Sequence, residues 1–128
     1  QAPAFNQNIG SWNTTAVTTM TSMFNEASAF DQDIGSWNTA AVTGMYGVFR
    51  GASAFNNGGS ASINNWNTSA VTQMRSMFSR AGAFNQDLSG WCVQTHFDTE
   101  PSEFNDNANS AWANDASKQP DWDGAVCP

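Results

Sequence analysis

Few residues of this sequence could carry out acid–base or nucleophilic chemistry. The single histidine, His96, lies near Asp98, Glu100 and Glu103, and serines are plentiful. A Ser-His-Asp arrangement also needs a positioned nucleophile, and the sequence contains no GxSxG or comparable motif. We therefore expect His96 to be a partly exposed residue of the C-terminal segment, and we predict neither a catalytic residue nor an enzyme.

A second group of polar residues recurs along the chain. Asp31 and Asp33 have the spacing of a carboxylate pair, but Asn6 and Asn8 occupy the matching positions of the preceding segment. An amide cannot exchange protons, so glycosidase chemistry explains the pair poorly. The sequence predicts ligand binding without a metal or cofactor, through polar side chains on one face: Asn6, Asn8, Asp31, Asp33, Asn85 and Asp87.

These oxygen-bearing side chains also suit calcium. The acidic end of the chain, with Asp121 and Asp123 around Trp122, is a second calcium candidate. No EF-hand or nonapeptide calcium motif is present, so solvated polar side chains are the preferred interpretation of both groups.

The polar residues belong to a tandem repeat. Segments 5–29, 30–54 and 55–83 align with one another, and a partial fourth segment covers 84–92. Their tryptophans are separated by 25, 29 and 25 residues, because the third segment carries an insertion near residues 58–62. A fixed period of this size predicts a solenoid, in which each unit buries its apolar residues against a neighbour. The shared tryptophans are predicted to be buried: Trp12, Trp37, Trp66 and Trp91.

Each repeat has two halves with different periodicity. Phe5 and Ile9 alternate with polar residues, which predicts a short strand. Val17, Met20, Phe24 and Ala27 recur at steps of three and four residues, which predicts a helix. The expected fold is an α/β solenoid: a leucine-rich-repeat-like right-handed coil with a short parallel sheet on one face and helices on the other.

The C-terminal segment, 93–128, does not continue the repeat and is predicted to be a cap. It contains Trp112 and Trp122, which lie outside the tryptophan series and are expected to be exposed. Cys92 and Cys127 lack metal-site spacing, so a disulfide closing the cap is the preferred interpretation, with two buried free thiols as the alternative. We expect a single repeat domain over residues 1–128.

The charge is confined to one end of the chain. The formal net charge of −7 comes from residues 84–128, whereas residues 1–83 are neutral. A neutral array with an acidic end offers no basic surface to nucleic acid, and no apolar run approaches the roughly 20 residues that span a bilayer. The low charged fraction of 12% favours an extracellular or cell-surface protein.

The opposite end raises a different question. The chain begins at Gln1 without a methionine, which suggests a mature product or a piece of a longer protein. No cap-like segment precedes Phe5. We therefore expect either further repeats before it or self-association through the N-terminal repeat.

The repeated unit AFNQDIGSWNTSAVTxMxxMF and the ending DLSGWCV resemble the BspA-like leucine-rich-repeat surface-protein family, which includes 25-residue repeats of mollicute lipoproteins. The resemblance covers residues 5–91 in detail. It implies a cell-surface or secreted adhesion module, and for most members no ligand is established.

The predicted function is therefore non-enzymatic recognition of a protein or glycan, with the polar residues at the centre of the footprint and residues 58–62 at its rim. The alternative is a structural spacer within a longer repeat array. An ice-binding solenoid is less favoured: threonine columns exist, but their hydroxyls are expected to bond the backbone. The columns are Thr14, Thr39 and Thr68, and Thr18, Thr43 and Thr72.

Overall fold

The computed structural model describes residues 2–93 and 96–123. Its regular elements within those residues are 3-10 helices at Asn57–Gly59, Ala61–Asn65 and Ala116–Lys118, and one α-helix, α1, at Ser110–Ala113. The same residues contain no strand, and only isolated parallel bridges join Gly44 to Thr19 and to Gln73. The predicted α/β solenoid, with a parallel sheet on one face and helices on the other, is therefore wrong.

The second half of each repeat is a series of turns instead of a helix. In the first repeat, the amide of Met23 donates to the carbonyl of Met20, and the amide of Ala27 donates to the carbonyl of Phe24. The third residue of each turn has a left-handed backbone, with φ of 58° at Ser22 and 60° at Glu26. This is the geometry of a type II turn, which requires a positive φ at that position.

The same backbone positions are left-handed in every repeat. Gly47 and Gly51 hold them in the second repeat, and Ser76 and Arg80 hold them in the third. At Gly51 the absence of a side chain also makes room, because an added Cβ would lie 2.6 Å from a carboxylate oxygen of Glu26. That carboxylate can therefore pass over the second repeat and pair with Arg80 in the third.

Alternate amides of these turns bond to the next repeat. Phe24 donates to Val48 at 2.9 Å, and Phe49 donates to Met77 at 2.9 Å. Four such bonds join the first repeat to the second, donated by Met20, Ser22, Phe24 and Glu26. The backbone groups that a strand would place in a ladder are thus satisfied between stacked turns.

The predicted stacking of equivalent side chains is confirmed. Phe5, Phe30, Phe55 and Phe84 form a series with ring centroids 5.7 to 5.8 Å apart. Trp37 lies 6.3 Å from Trp12, and Trp91 lies 6.0 Å from Trp66. This stack of rings runs through the core, which also contains the buried aliphatic and methionine side chains, and each repeat buries its apolar residues against its neighbours.

The physical reason for the wrong prediction is a coincidence of spacing. A turn closed by a bond between residues i and i+3, repeated along the chain, brings residues to one face every three or four positions. An amphipathic helix produces the same spacing. The residues between the buried positions decide against a helix: Thr18, Thr19, Thr21 and Ser22 are poor helix formers, as are the glycines of the second repeat.

The fourth repeat is more complete than the sequence pattern suggests. Phe78 donates its amide to Phe104 at 2.8 Å, and Arg80 donates to Asp106 at 2.8 Å, so residues 101–108 form a fourth row of turns. Glu103 and Asn107 have the left-handed backbone of this row. The cap predicted to begin at residue 93 therefore contains a repeat-like row and closes the stack only after it.

Residues 109–123 cover the far side of the fourth repeat. Trp112, on α1, is fully buried and meets Phe84 edge-on with centroids 4.8 Å apart. Its predicted exposure is wrong, since it takes the place that a fifth repeat's phenylalanine would fill. The disulfide predicted between Cys92 and Cys127 falls outside the described residues, which end at residue 123.

Candidate functional site

The six residues predicted to bind a ligand, here called the polar row, recur in register in the first halves of the repeats. They are Asn6, Asn8, Asp31, Asp33, Asn85 and Asp87. All are at least partly exposed, so the stacking brings them to the surface. Whether they bind a ligand stays a prediction.

Two residues of the polar row, Asn6 and Asp31, hold neighbouring repeats together through their side chains. The Oδ1 atom of Asn6 accepts from the amide of Asp31 at 2.9 Å. Asp31 Oδ1 in turn accepts from the amides of Asn56 and Gly58 at 2.7 and 2.8 Å. Asn56 continues the ladder by accepting from the amide of Asn85 at 2.7 Å. These oxygens stabilise the stack, and only their remaining lone pairs are open to a ligand.

Three other residues of the polar row cap local turns. Asn8 accepts from the amide of Gly10 at 3.0 Å, and Asp87 accepts from the amide of Ser89 at 2.8 Å. Asp33 accepts from the amide of Gly35 at 3.0 Å and from the hydroxyl of Ser62 at 2.7 Å. The Ser62 hydroxyl and then the Gly35 amide hold the pKa of Asp33 below its ordinary value.

The insertion in the third repeat packs against the polar row. Asn57 is fully buried, and its Oδ1 atom accepts from the amide of Ile34 at 2.9 Å. Its amide nitrogen donates to the carbonyl of Ser60 and to the hydroxyl of Ser62. The later residues keep their register, because Trp66 still donates to the carbonyl of Ile34 at 3.0 Å. The insertion is therefore a fixed part of the surface beside Asp33.

A larger concave surface lies in the C-terminal segment and is called here the cap cleft. It is an open cavity of about 820 Å³ lined by residues from 89 to 123, among them Asp98, Glu100, Asn105, Gln119, Trp122 and Asp123. Trp122 is half-buried and packs edge-on against Phe97 and Phe104, with centroids 5.7 and 5.0 Å apart. The cleft thus combines a fixed aromatic ring with carboxylate and amide groups.

The cap cleft is strongly acidic. Asp98, Glu100, Asp121 and Asp123 are exposed along it. Desolvation, and next the charge of Asp106, raises the pKa of Glu100, since both disfavour its charged form. A cation placed among these groups would relieve their mutual repulsion. The acids around Trp122 are a partial signal for this site in the sequence, but the concave shape of the cleft has no such signal.

Two other predicted features have clear positions. The hydroxyls of the buried threonines Thr14, Thr39 and Thr68 donate to backbone carbonyls of the next repeat. Thr18, Thr43 and Thr72 are exposed, and the hydroxyls of Thr43 and Thr72 donate to the preceding threonine's carbonyl. The hydroxyls therefore bond the backbone as expected, but the bonds run between neighbouring repeats instead of within the predicted helix turns. His96 is exposed and makes no side-chain hydrogen bond to a described residue.

In the part of the chain that the structure describes, no group of three or more His, Cys, Asp or Glu residues is arranged to hold a metal ion. The described helices are all too short to cross a bilayer.

A family model described as "Mycoplasma protein of unknown function, DUF285" matches residues 1–117. The match spans the repeats and most of the C-terminal segment, including α1. Searches of curated proteins and of solved structures returned no match.

Proposed function

Because the chain belongs to the Mycoplasma protein family of unknown function DUF285, a repeat-type family, we propose that it is a non-enzymatic recognition module of the cell surface or the extracellular space. The resemblance of its repeat motif to BspA-like surface proteins supports this location. The assignment to that leucine-rich-repeat family rests on the repeat motif alone and is part of the proposal. The strands and helices expected of the family are missing from the described residues.

The proposed binding site is the cap cleft, and the proposed ligand is a basic segment of a protein partner. The observation that carries this proposal is the convergence of four exposed carboxylates on a cavity with Trp122 in its wall. Carboxylates attract lysine and arginine side chains, and an aromatic face also attracts a cation. The charge of the C-terminal residues would speed the encounter with such a partner.

A glycan is the second candidate for the same site. Tryptophan faces stack on sugar rings, and the cleft offers the amides of Asn105 and Gln119 as hydrogen-bonding groups. The two ligands differ in their response to salt, because only the attraction to a basic peptide is screened.

The test compares a lysine-rich peptide with a glutamate-rich peptide of equal length, and adds a glycan array. We expect the lysine-rich peptide to bind, and Asp98→Asn and Asp123→Asn each to weaken it about 2- to 5-fold, as for exposed ion pairs. Raising the salt concentration should weaken binding further. Both substitutions lie at exposed positions, so the fold should be retained.

The matched control is Asp31→Asn in the polar row. This change removes a charge but keeps the oxygen that accepts from Asn56 and Gly58. Binding that responds to Asp31→Asn and not to the cleft variants would move the site to the polar row. Binding on the glycan array alone would show that the ligand is a sugar and not a basic peptide. The absence of binding in every assay would favour a structural spacer within a longer array.

A further inference from the structure

The N-terminal face is the side of the first repeat that points away from the rest of the stack. It carries a groove of about 240 Å³ whose lining includes Phe5, Ile9, Trp12, Met23 and Phe24. The predicted burial of Trp12 is wrong, because this residue is 54% exposed. Met23 is 43% exposed, whereas Trp37 and Val48, the equivalents of Trp12 and Met23 in the second repeat, are 5% and 0% exposed. The face therefore exposes residue types that the other repeats bury against a neighbour.

The backbone of this face also lacks partners. In the second repeat, the carbonyls of Gly44, Tyr46, Val48 and Arg50 each accept an amide from the first repeat. The equivalent carbonyls of the first repeat accept no hydrogen bond from a described residue; they belong to Thr19, Thr21, Met23 and Asn25. The side-chain Oδ1 of Asn25 is buried and has no partner among the described residues.

The donors of the face are unpaired in the same way. Trp37 donates its indole N–H to the carbonyl of Ile9 at 2.9 Å, and Trp66 and Trp91 make the equivalent bonds. The indole N–H of Trp12 has no such acceptor among the described residues. The N-terminal face thus exposes the same carbonyls and the same indole N–H that, in each later repeat, bond to the preceding repeat.

This set does not fit a second copy of the chain. Two N-terminal faces brought together would oppose carbonyls to carbonyls, since the alternate amides of the first repeat already donate to the second. The described residues at the other end of a copy offer no matching surface. Its row of turns starts at Pro101, which has no N–H, and Trp112 and Trp122 cover the adjacent rings.

We propose that the N-terminal face binds the open side of a further repeat unit of this same type, whose alternate amides donate to the carbonyls of Thr19, Thr21, Met23 and Asn25. The added unit's tryptophan would stack on Trp12 as Trp12 does on Trp37, and its isoleucine carbonyl would accept the Trp12 indole N–H. This inference does not depend on ligand binding at the cap cleft.

The experiment inserts a second copy of residues 5–29 immediately before Phe5 of the full chain, with the tryptophan of the added copy replaced by phenylalanine. The protein is labelled with fluorotryptophan, and the signal of Trp12 is assigned with Trp12→Phe. We expect the Trp12 signal to lose its solvent isotope shift, as for the buried Trp37, and the Tm to rise by about 5 °C or more.

The matched control is the same insertion with proline at the added copy's equivalent of Met20. Pro101 occupies that position in the fourth row, so the turn tolerates proline, but one donor to the face is removed. The Tm gain should be smaller. A Trp12 signal that stays solvent-exposed in the correctly folded insertion variant would overturn the proposal.

Sedimentation of the unmodified chain gives an independent test that does not require the insertion variant to fold. The mismatch of carbonyls predicts a monomer at the highest attainable concentration. A dimer in which the Trp12 signal is protected from solvent would show that a second copy of the chain, and not a further repeat unit, binds the N-terminal face.

Discussion

At the scale of single residues, the carboxylates and amides of the polar row support the backbone as well as facing solvent. Asp33 is the clearest case, because one of its oxygens accepts from both the Gly35 amide and the Ser62 hydroxyl. These bonds stabilise the charged form, and they hold its pKa below the ordinary value of 3.8. Stability should therefore depend on the ionisation of this residue.

We predict that Asp33→Asn lowers stability at neutral pH by no more than about 0.5 kcal/mol, since the group is exposed and water screens its charge. A lowered folded-state pKa gives stability that is present above 3.8 and is lost as the pH falls through the folded value. The difference between the two proteins should shrink on acidification. Urea unfolding from pH 7 to about pH 3 measures it.

The control for this prediction is Ser62→Ala, which removes the first cause of the shift. In that background the pH-dependent part of the Asp33→Asn effect should decrease. A difference that is constant from neutral to acidic pH would show that the carboxylate charge contributes nothing.

The positions of the polar row could be predicted from the sequence, but their contacts could not. The repeat predicts which residues share a face, and hydrogen bonds in the structure link Asn6 to Asp31 and Asn56 to Asn85. It does not show that the oxygens of Asn6 and Asp31 accept backbone amides of the next repeat, because an exposed polar side chain looks the same in the sequence whether it is free or bonded. The cap cleft was missed for a similar reason, since its walls come from segments without a repeat.

At the scale of the structural element, the unit is a row of turns that is held by its neighbours. Each turn needs a left-handed residue, and three of the four residues at the Ser22 position are not glycine. A non-glycine residue pays about 1 to 2 kcal/mol for this conformation. The row persists because its amides bond to the next repeat and its rings stack.

We predict that Ser22→Gly raises the free energy of unfolding by about 0.5 to 1 kcal/mol, because glycine adopts a positive φ without steric cost. Ser22→Val should lower it, since a β-branched residue fits this conformation poorly. The measurement is urea unfolding of the variants. A helix would give the opposite sign for the glycine variant.

The matched control is the exposed neighbour Thr21, whose φ is not positive. Thr21→Gly should lower stability, because glycine adds only unfolded-state freedom there. If both glycine variants destabilise the protein, the assignment of a left-handed backbone to Ser22 is wrong.

The sequence predicted the stack but not its backbone. Equivalent phenylalanines and tryptophans recur at a fixed period, which predicts that their rings stack on one another in successive repeats. The secondary structure was ambiguous because turns and helices both bury every third or fourth residue. The poor helix formers around Thr19 and Ser22 were the sequence signal against a helix. The fourth row was missed because Pro101 and Phe104 replace the usual methionines.

At the scale of the whole molecule, the two ends of the stack are different. Trp112 closes the C-terminal end by packing edge-on against Phe84 and Phe78, and the Lys118 amine donates to Asn85 Oδ1 at 2.9 Å. That donor replaces the amide which a following repeat would supply. Growth of the stack is therefore blocked at this end, whereas the N-terminal face keeps its acceptors open.

We predict that Trp112→Ala lowers the free energy of unfolding by about 3 to 5 kcal/mol, as expected for a large side chain removed from a core. Trp112→Phe should cost about 1 kcal/mol or less, because it keeps an aromatic ring and removes an indole N–H that is buried without a partner among the described residues. Equal losses for the two variants in urea unfolding would show that ring packing does not close the stack.

Stacked turns join their backbones between repeats. The most direct measurement is the detection by NMR of scalar couplings across hydrogen bonds. We predict couplings from the Phe24 amide nitrogen to the Val48 carbonyl carbon, and from Phe49 to Met77. Couplings from Phe24 to Met20 and from Phe49 to Met45, as in a helix, would contradict this arrangement of the backbone.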